Sequence, residues 1–146
     1  MDTNTRLSEL YIFLIEQAFR SSRRYSNSEF AKFGYNISVE QWIVLKQISE
    51  NPDFTQRQIA AATNKDPASV TRILDLLQKR KLVERTTGKD RRSFGVKLTS
   101  EGEKLVSQIL PKAHVIREKG IEGFSAAEEK KLVELLLRVY KNFSDK

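Results

Sequence analysis

The chain has 146 residues, enough for one domain with its own core and no stapling disulfide or metal. It has no cysteine and a single histidine, His114, which excludes disulfides, thiolate metal sites, a cysteine nucleophile and a multi-histidine metal centre. Lys and Arg number 26 against 19 Asp and Glu, a net charge of +7, which favours a polyanionic partner such as nucleic acid or an anionic membrane surface.

The N-terminus, Met1-Asp2-Thr3-Asn4-Thr5-Arg6, is polar and lacks the apolar core of a signal peptide. No later stretch approaches the roughly 20 apolar residues of a membrane span. The expectation is a soluble, cytoplasmic protein with no membrane partner. Leu7, Leu10, Tyr11, Leu14, Ile15 and Ala18 follow helical spacing and predict a long helix over residues 6–33. Ile12, Phe13, Phe19, Phe30 and Phe33 widen its apolar surface beyond one stripe, so it needs more than one packing partner. Gly34 suits its C-terminal cap.

Ser38-Val39-Glu40-Gln41 has the form of a capping box, and Trp42, Leu45 and Ile48 mark the short helix it opens, which Asn51-Pro52-Asp53 ends. Thr55-Gln56-Arg57-Gln58 is a second box, for a helix through about Thr63. Asp66-Pro67 starts a third helix, with Asp at the cap and Pro where its missing N–H costs nothing. Val70, Ile73, Leu74 and Leu77 form its buried stripe. The period then shortens. Leu82-Val83-Glu84-Arg85 suits a strand, residues 86–91 a loop, and Ser93-Phe94-Gly95-Val96-Lys97-Leu98 a second strand, making a β-hairpin. Thr99 caps a helix that contains Pro111, where a bend is expected. Ser125-Ala126-Ala127-Glu128 opens the last helix, with Leu132, Leu135, Leu136, Val139, Tyr140 and Phe143.

The charge is concentrated. Residues 55–98 hold eleven basic and four acidic side chains, and the rest of the chain is balanced. A solvated basic face is the plain explanation, but this segment is also helix, turn, helix and hairpin, a winged helix-turn-helix. The fold class is therefore mainly α with a small β-hairpin. A helix starting after Asp66 would present Ala68, Ser69, Thr71 and Arg72 to the major groove, where recognition helices read bases with their first turns. Arg72 can make a bidentate contact to guanine, and Ser69 and Thr71 can bond to bases or phosphates. Gln56, Arg57 and Lys65 suit backbone contacts. The hairpin tip offers Lys89, Asp90, Arg91 and Arg92, with the cations fitted to a minor groove and Asp90 pairing with an arginine to shape the loop.

With these parts in place, the sequence resembles the MarR family of bacterial transcription regulators, most strongly over residues 38–102. The residues that carry it are Ser38-Val39-Glu40-Gln41-Trp42-Ile43-Val44-Leu45, Thr55-Gln56-Arg57-Gln58-Ile59-Ala60 and Ser69-Val70-Thr71-Arg72-Ile73-Leu74-Asp75-Leu76-Leu77. Most specific are Leu82-Val83-Glu84-Arg85, Asp90-Arg91-Arg92 and Val96-Lys97-Leu98-Thr99-Ser100-Glu101-Gly102. The resemblance implies a homodimer with three parts: an N-terminal dimerisation helix (residues 1–36), a winged DNA-binding domain (37–99) and C-terminal dimerisation helices (100–146). It implies binding to a pseudo-palindrome with half-sites roughly 34–36 Å apart, with Arg92 at the minor groove. It also implies that the chain is a repressor, of a kind often released by small phenolic or anionic effectors.

The sequence departs from two branches of that family. Without cysteine it does not match the peroxide sensors, and with one histidine it lacks the ligands of the zinc sensors, so neither a metal nor a cofactor is expected. Tyr25, Phe33, Tyr35 and Trp42 lie near the junction where family pockets form and are the candidate effector site, with a purely core role as the alternative. Two other functions stay open from sequence: a non-specific architectural DNA binder, and a winged-helix module that binds an acidic protein. An enzyme is disfavoured, since no Gly-rich phosphate loop, metal set or nucleophile motif is present.

Overall fold

The computed structural model describes residues 3–86 and 95–144. The hairpin-tip candidates Lys89, Asp90, Arg91 and Arg92 lie outside the described residues, as do Ser93 and Phe94 of the expected second strand.

The first helix begins later than its apolar spacing predicts. Leu7–Glu9 form one 3-10 turn, in which Glu9 N–H donates to Arg6 O at 2.9 Å and Leu10 N–H to Leu7 O at 3.1 Å. Leu10 is extended (φ −84°, ψ 123°), and α1 then runs over Tyr11–Lys32. Leucine offers no side-chain acceptor to the first-turn amides, so α1 starts uncapped. At its other end Gly34 adopts φ +78°, Gly34 N–H bonds Ala31 O at 3.1 Å, and Tyr35 N–H bonds Phe30 O at 3.0 Å. This paired closure requires a left-handed residue, which glycine supplies at least cost.

The boxes at Ser38 and Thr55 form as predicted. Ser38 N–H donates to Gln41 Oε1 at 2.9 Å, and Gln41 N–H donates to Ser38 Oγ at 3.2 Å, opening α2 (Val39–Glu50). Asn27 Oδ1 accepts from Val39 N–H at 2.9 Å, which ties α1 to that start. Thr55 and Gln58 cap α3 (Gln56–Ala62) in the same way. Asp66 caps α4 (Pro67–Lys79), with proline in its first turn.

Two of these helices close on a left-handed residue other than glycine. Asn64 (φ +56°) closes α3 through Asn64 N–H on Ala61 O at 3.2 Å and Lys65 N–H on Ala60 O at 3.0 Å. Lys81 (φ +63°) closes α4 through Lys81 N–H on Gln78 O and Leu82 N–H on Leu77 O, both 2.9 Å. Because Leu82 N–H is used in that closure, the first strand starts one residue later than expected. β1 (Val83–Thr86) pairs antiparallel with β2 (Gly95–Leu98), Val83 opposite Leu98 and Thr86 opposite Gly95. Thr86, expected in the loop, therefore belongs to the strand. Thr55 adds a single bridge to Gly95, which fixes the start of α3 against the hairpin.

The core lies among α2, α3, α4 and the hairpin. Val44, Leu45, Ile48, Ile59, Val70, Leu74, Leu77, Val83 and Val96 are essentially inaccessible, each such side chain contributing about 1.5–3 kcal/mol by leaving water. α1 buries only Ser26 and Phe30. α5 (Ser100–Gly120) buries Gly102, Val106 and Ile109. This is a winged helix-turn-helix, as the sequence predicts.

α5 continues as one helix through Pro111, and the chain divides there into two compact units, residues 1–110 and 111–146. In the second unit, Ser125 and Glu128 cap α6 (Ala126–Ser144). No residue of α6 is buried, and Leu132, Val133, Leu135, Leu136, Leu137, Tyr140 and Phe143 are exposed. Among the described residues no helix is long and apolar enough to cross a membrane, and no group of three His, Asp or Glu is placed to hold a metal.

Candidate nucleic-acid interface

The start of α4 is organised around one carboxylate. Asp66 Oδ1 accepts from Ser69 N–H at 2.9 Å, and Asp66 Oδ2 accepts from the Ser69 hydroxyl at 2.8 Å. Arg72 Nη2 in turn donates to Ser69 Oγ at 3.2 Å. The Ser69 amide chiefly, then its hydroxyl and the nearby Arg72 charge, hold the Asp66 carboxyl below the ordinary aspartate range. Ser69 thus links the helix cap to Arg72 and preorients a guanidinium that stands exposed on the first turns of α4. Ala68 is exposed beside it, so the helix backbone there is open to close approach.

Other sequence candidates have internal duties in the free chain. The Thr71 hydroxyl donates to Pro67 O at 2.9 Å and accepts from Gln56 Nε2 at 2.6 Å. Gln56 and Thr71 therefore fasten α3 to α4. Lys65 Nζ lies 3.3 Å from a Glu40 carboxylate oxygen. Arg57 is exposed at the start of α3. Two further cations of the basic segment have acidic partners, Lys97 with Glu84 at 3.8 Å and Arg85 with Asp75 at 2.6 Å.

The second candidate group separates. Phe33 and Tyr35 line an open cleft of about 360 Å³, together with Gly34, Asn36, Ile37, Arg80, Leu82, Leu105 and Gln108. The Tyr35 hydroxyl donates to Gln108 O at 3.2 Å, and the Tyr35 ring packs against Phe30 and Phe33. Tyr25 and Trp42 do not line this cleft, and Trp42 is a core residue, 8% exposed. Arg80 also lines this cleft and is not among the residues that the sequence singles out. No local signal could have found it, because Tyr35 and Arg80 come to line one cleft only through the fold.

The MarR family profile matches residues 35–93. A cysteine-to-serine variant of E. coli MarR, solved in complex with operator DNA, is 26% identical over 86% of this chain and 90% of that one, with a TM-score of 0.77. BpsR of Bordetella bronchiseptica, solved to describe regulation of its DNA binding by 6-hydroxynicotinic acid, is 25% identical over 94% of this chain and 99% of that one, with a TM-score of 0.82. Over residues 35–93 the chain is similar to the MarR family, and its fold is that of MarR-family structures. A MarR/EmrR-family regulator from an Acinetobacter species, 20% identical, shares the fold over 97% of this chain and 100% of that one at a TM-score of 0.88. MarR-family proteins are DNA-binding transcriptional regulators. In this chain the outward first turns of α4 carry the exposed Ala68 and Arg72.

Proposed function

We propose that this chain is a MarR-type homodimeric repressor that reads a pseudo-palindromic operator through α4 and is released by a small aromatic anion. The observation that carries the DNA reading is the start of α4: a proline-initiated, carboxylate-capped helix end with Arg72 exposed and oriented through Ser69. An exposed arginine with small neighbours suits bidentate contact to guanine in a major groove.

Exposed apolar side chains support self-association. Tyr11, Ile12, Leu14 and Phe19 on α1, and the apolar residues of α6, exceed what a monomer leaves scattered on its surface. Two-fold pairing is the common way to cover such faces, and it places two recognition helices on two half-sites. The cleft at Tyr35 supports the effector reading. Its volume falls in the small-molecule range, and Phe33, Tyr35 and the cationic residue Arg80 all line it. A bound anion shifts DNA affinity only by its preference for one conformation over another.

Selection from a random duplex pool at about 150 mM salt, where non-specific phosphate binding is weakened, tests the reading. An enriched pseudo-palindrome supports it, and retention without enrichment replaces it with architectural binding. Arg80→Ala should leave operator affinity intact while removing release by an aromatic carboxylate.

A further inference from the structure

Among the described residues Arg85 is the less exposed of the two hairpin cations, and its side-chain hydrogen bonds run to the recognition helix. Its side chain is 20% exposed. Nη1 donates to Asp75 Oδ1 at 2.6 Å and to Gln78 Oε1 at 3.2 Å, and Nη2 donates to Thr71 O at 3.2 Å. Residues 71, 75 and 78 lie one helical turn apart along one face of α4. A single guanidinium on β1 therefore spans two turns of α4, and its upper contact is the residue just before Arg72.

Resting on the regulator reading above, we propose that Arg85 is a positioning residue for operator recognition. It touches no DNA. It fixes the hairpin at a set angle to α4, so that the strand leading into residues 87–94 and the turn bearing Arg72 meet the duplex in one register. The chemistry is specific to arginine. A planar fork can serve a carboxylate, an amide oxygen and a backbone carbonyl at once, whereas an ammonium is a point charge without that shape. The charge of Arg85 is also matched by Asp75, so it adds little to non-specific attraction for phosphate.

The test compares wild type with Arg85→Lys, Arg85→Ala and Asp75→Asn. Each binds the wild-type-enriched duplex and a random duplex over a series of salt concentrations, at a temperature where circular dichroism shows it folded. The expected result is a loss of about tenfold on the enriched duplex for all three variants. Random-duplex affinity should stay within about twofold of wild type, with the salt slope unchanged. Asp75→Asn removes the partner charge from a mostly exposed side chain, and it decides the matter if the Arg85 variants fail to fold. Arg85→Lys matching wild type overturns the proposal. So does an Arg85→Ala variant that weakens both duplexes alike and flattens the salt slope by about one, the mark of a phosphate contact. A wild type that enriches no sequence overturns the regulator reading and this role with it, a result distinct from enrichment that the variants leave untouched.

Discussion

Replacing Gly102 by alanine should destabilise the chain, against the usual preference of a helix for alanine. A Cβ built at Gly102 would stand 2.1 Å from Leu82 O and 3.1 Å from Leu82 C. Those are backbone atoms of the turn between α4 and β1, which cannot swing aside as a side chain tip can. Relief requires about 1 Å of separation between the start of α5 and that turn. The same seam holds three hydrogen bonds: Thr99 Oγ1 donates to Lys81 O at 2.6 Å, Thr99 N–H to Leu82 O at 3.1 Å, and Gly102 N–H to Thr99 Oγ1 at 3.0 Å. Moving α5 away weakens the first two, each worth about 1 kcal/mol, and overpacking adds roughly 1–3 kcal/mol. The better helix propensity of alanine returns about 0.5–1 kcal/mol. The net expectation is a loss of about 1–3 kcal/mol, a Tm lower by roughly 2–10 °C. Urea unfolding at fixed protomer concentration, which removes any shift from self-association, should show a lower midpoint with the same slope. Gly120→Ala is the internal control. Nothing lies within 4 Å of its added Cβ, so it should be neutral or stabilising by up to about 1 kcal/mol. A Gly102→Ala protein as stable as wild type would refute the account of the seam.

Three further outcomes are expected. Lys81→Gly should raise stability by a few tenths to about 1 kcal/mol, because it relieves a left-handed non-glycine residue while adding some unfolded-state entropy; thermal unfolding checks it. The Asp66 carboxyl should titrate by NMR below its ordinary value of 3.8, so its contribution to stability is complete above that value and fades only as pH falls through the lower folded one. Ser69→Ala should move the midpoint part of the way back, since the amide bond remains; an unshifted midpoint in wild type would contradict the cap geometry. Arg72→Ala should cost about 1–3 kcal/mol on the enriched duplex and relax one base preference, and repeated selection with the variant reads both.

The parts that sequence reasoning located well are those encoded within a few residues. The boxes at Ser38, Thr55 and Ser125, the Asp66-Pro67 start and the Gly34 closure each depend on groups no more than five positions apart, and all form as expected. The break at Leu10 was hidden because apolar spacing runs unbroken across it. Lys81 gave no signal of its left-handed backbone, since lysine rarely adopts one and the need for it arises from where β1 must begin. Arg85 and Arg80 look like ordinary surface cations until the fold sets one against α4 and the other in the cleft that Tyr35 lines. Thr71 and Lys65, which sequence assigns to DNA, carry partners within the free chain that sequence alone cannot pair.

The way α1, α3 and α4 end also has a kinetic consequence. Each closes through two hydrogen bonds that reach no further than five residues back along the chain, around Gly34, Asn64 and Lys81. Such stops need no distant partner, so they can form while the rest of the chain is still open, on the sub-microsecond to microsecond scale of helix relaxation. The later step is the pairing of β1 with β2 and its seating on α2 and α4. Substitutions at the helix ends should therefore change the folding rate chiefly where they alter residual helix before that pairing, whereas losses at Val83 or Val96 should appear mainly as faster unfolding.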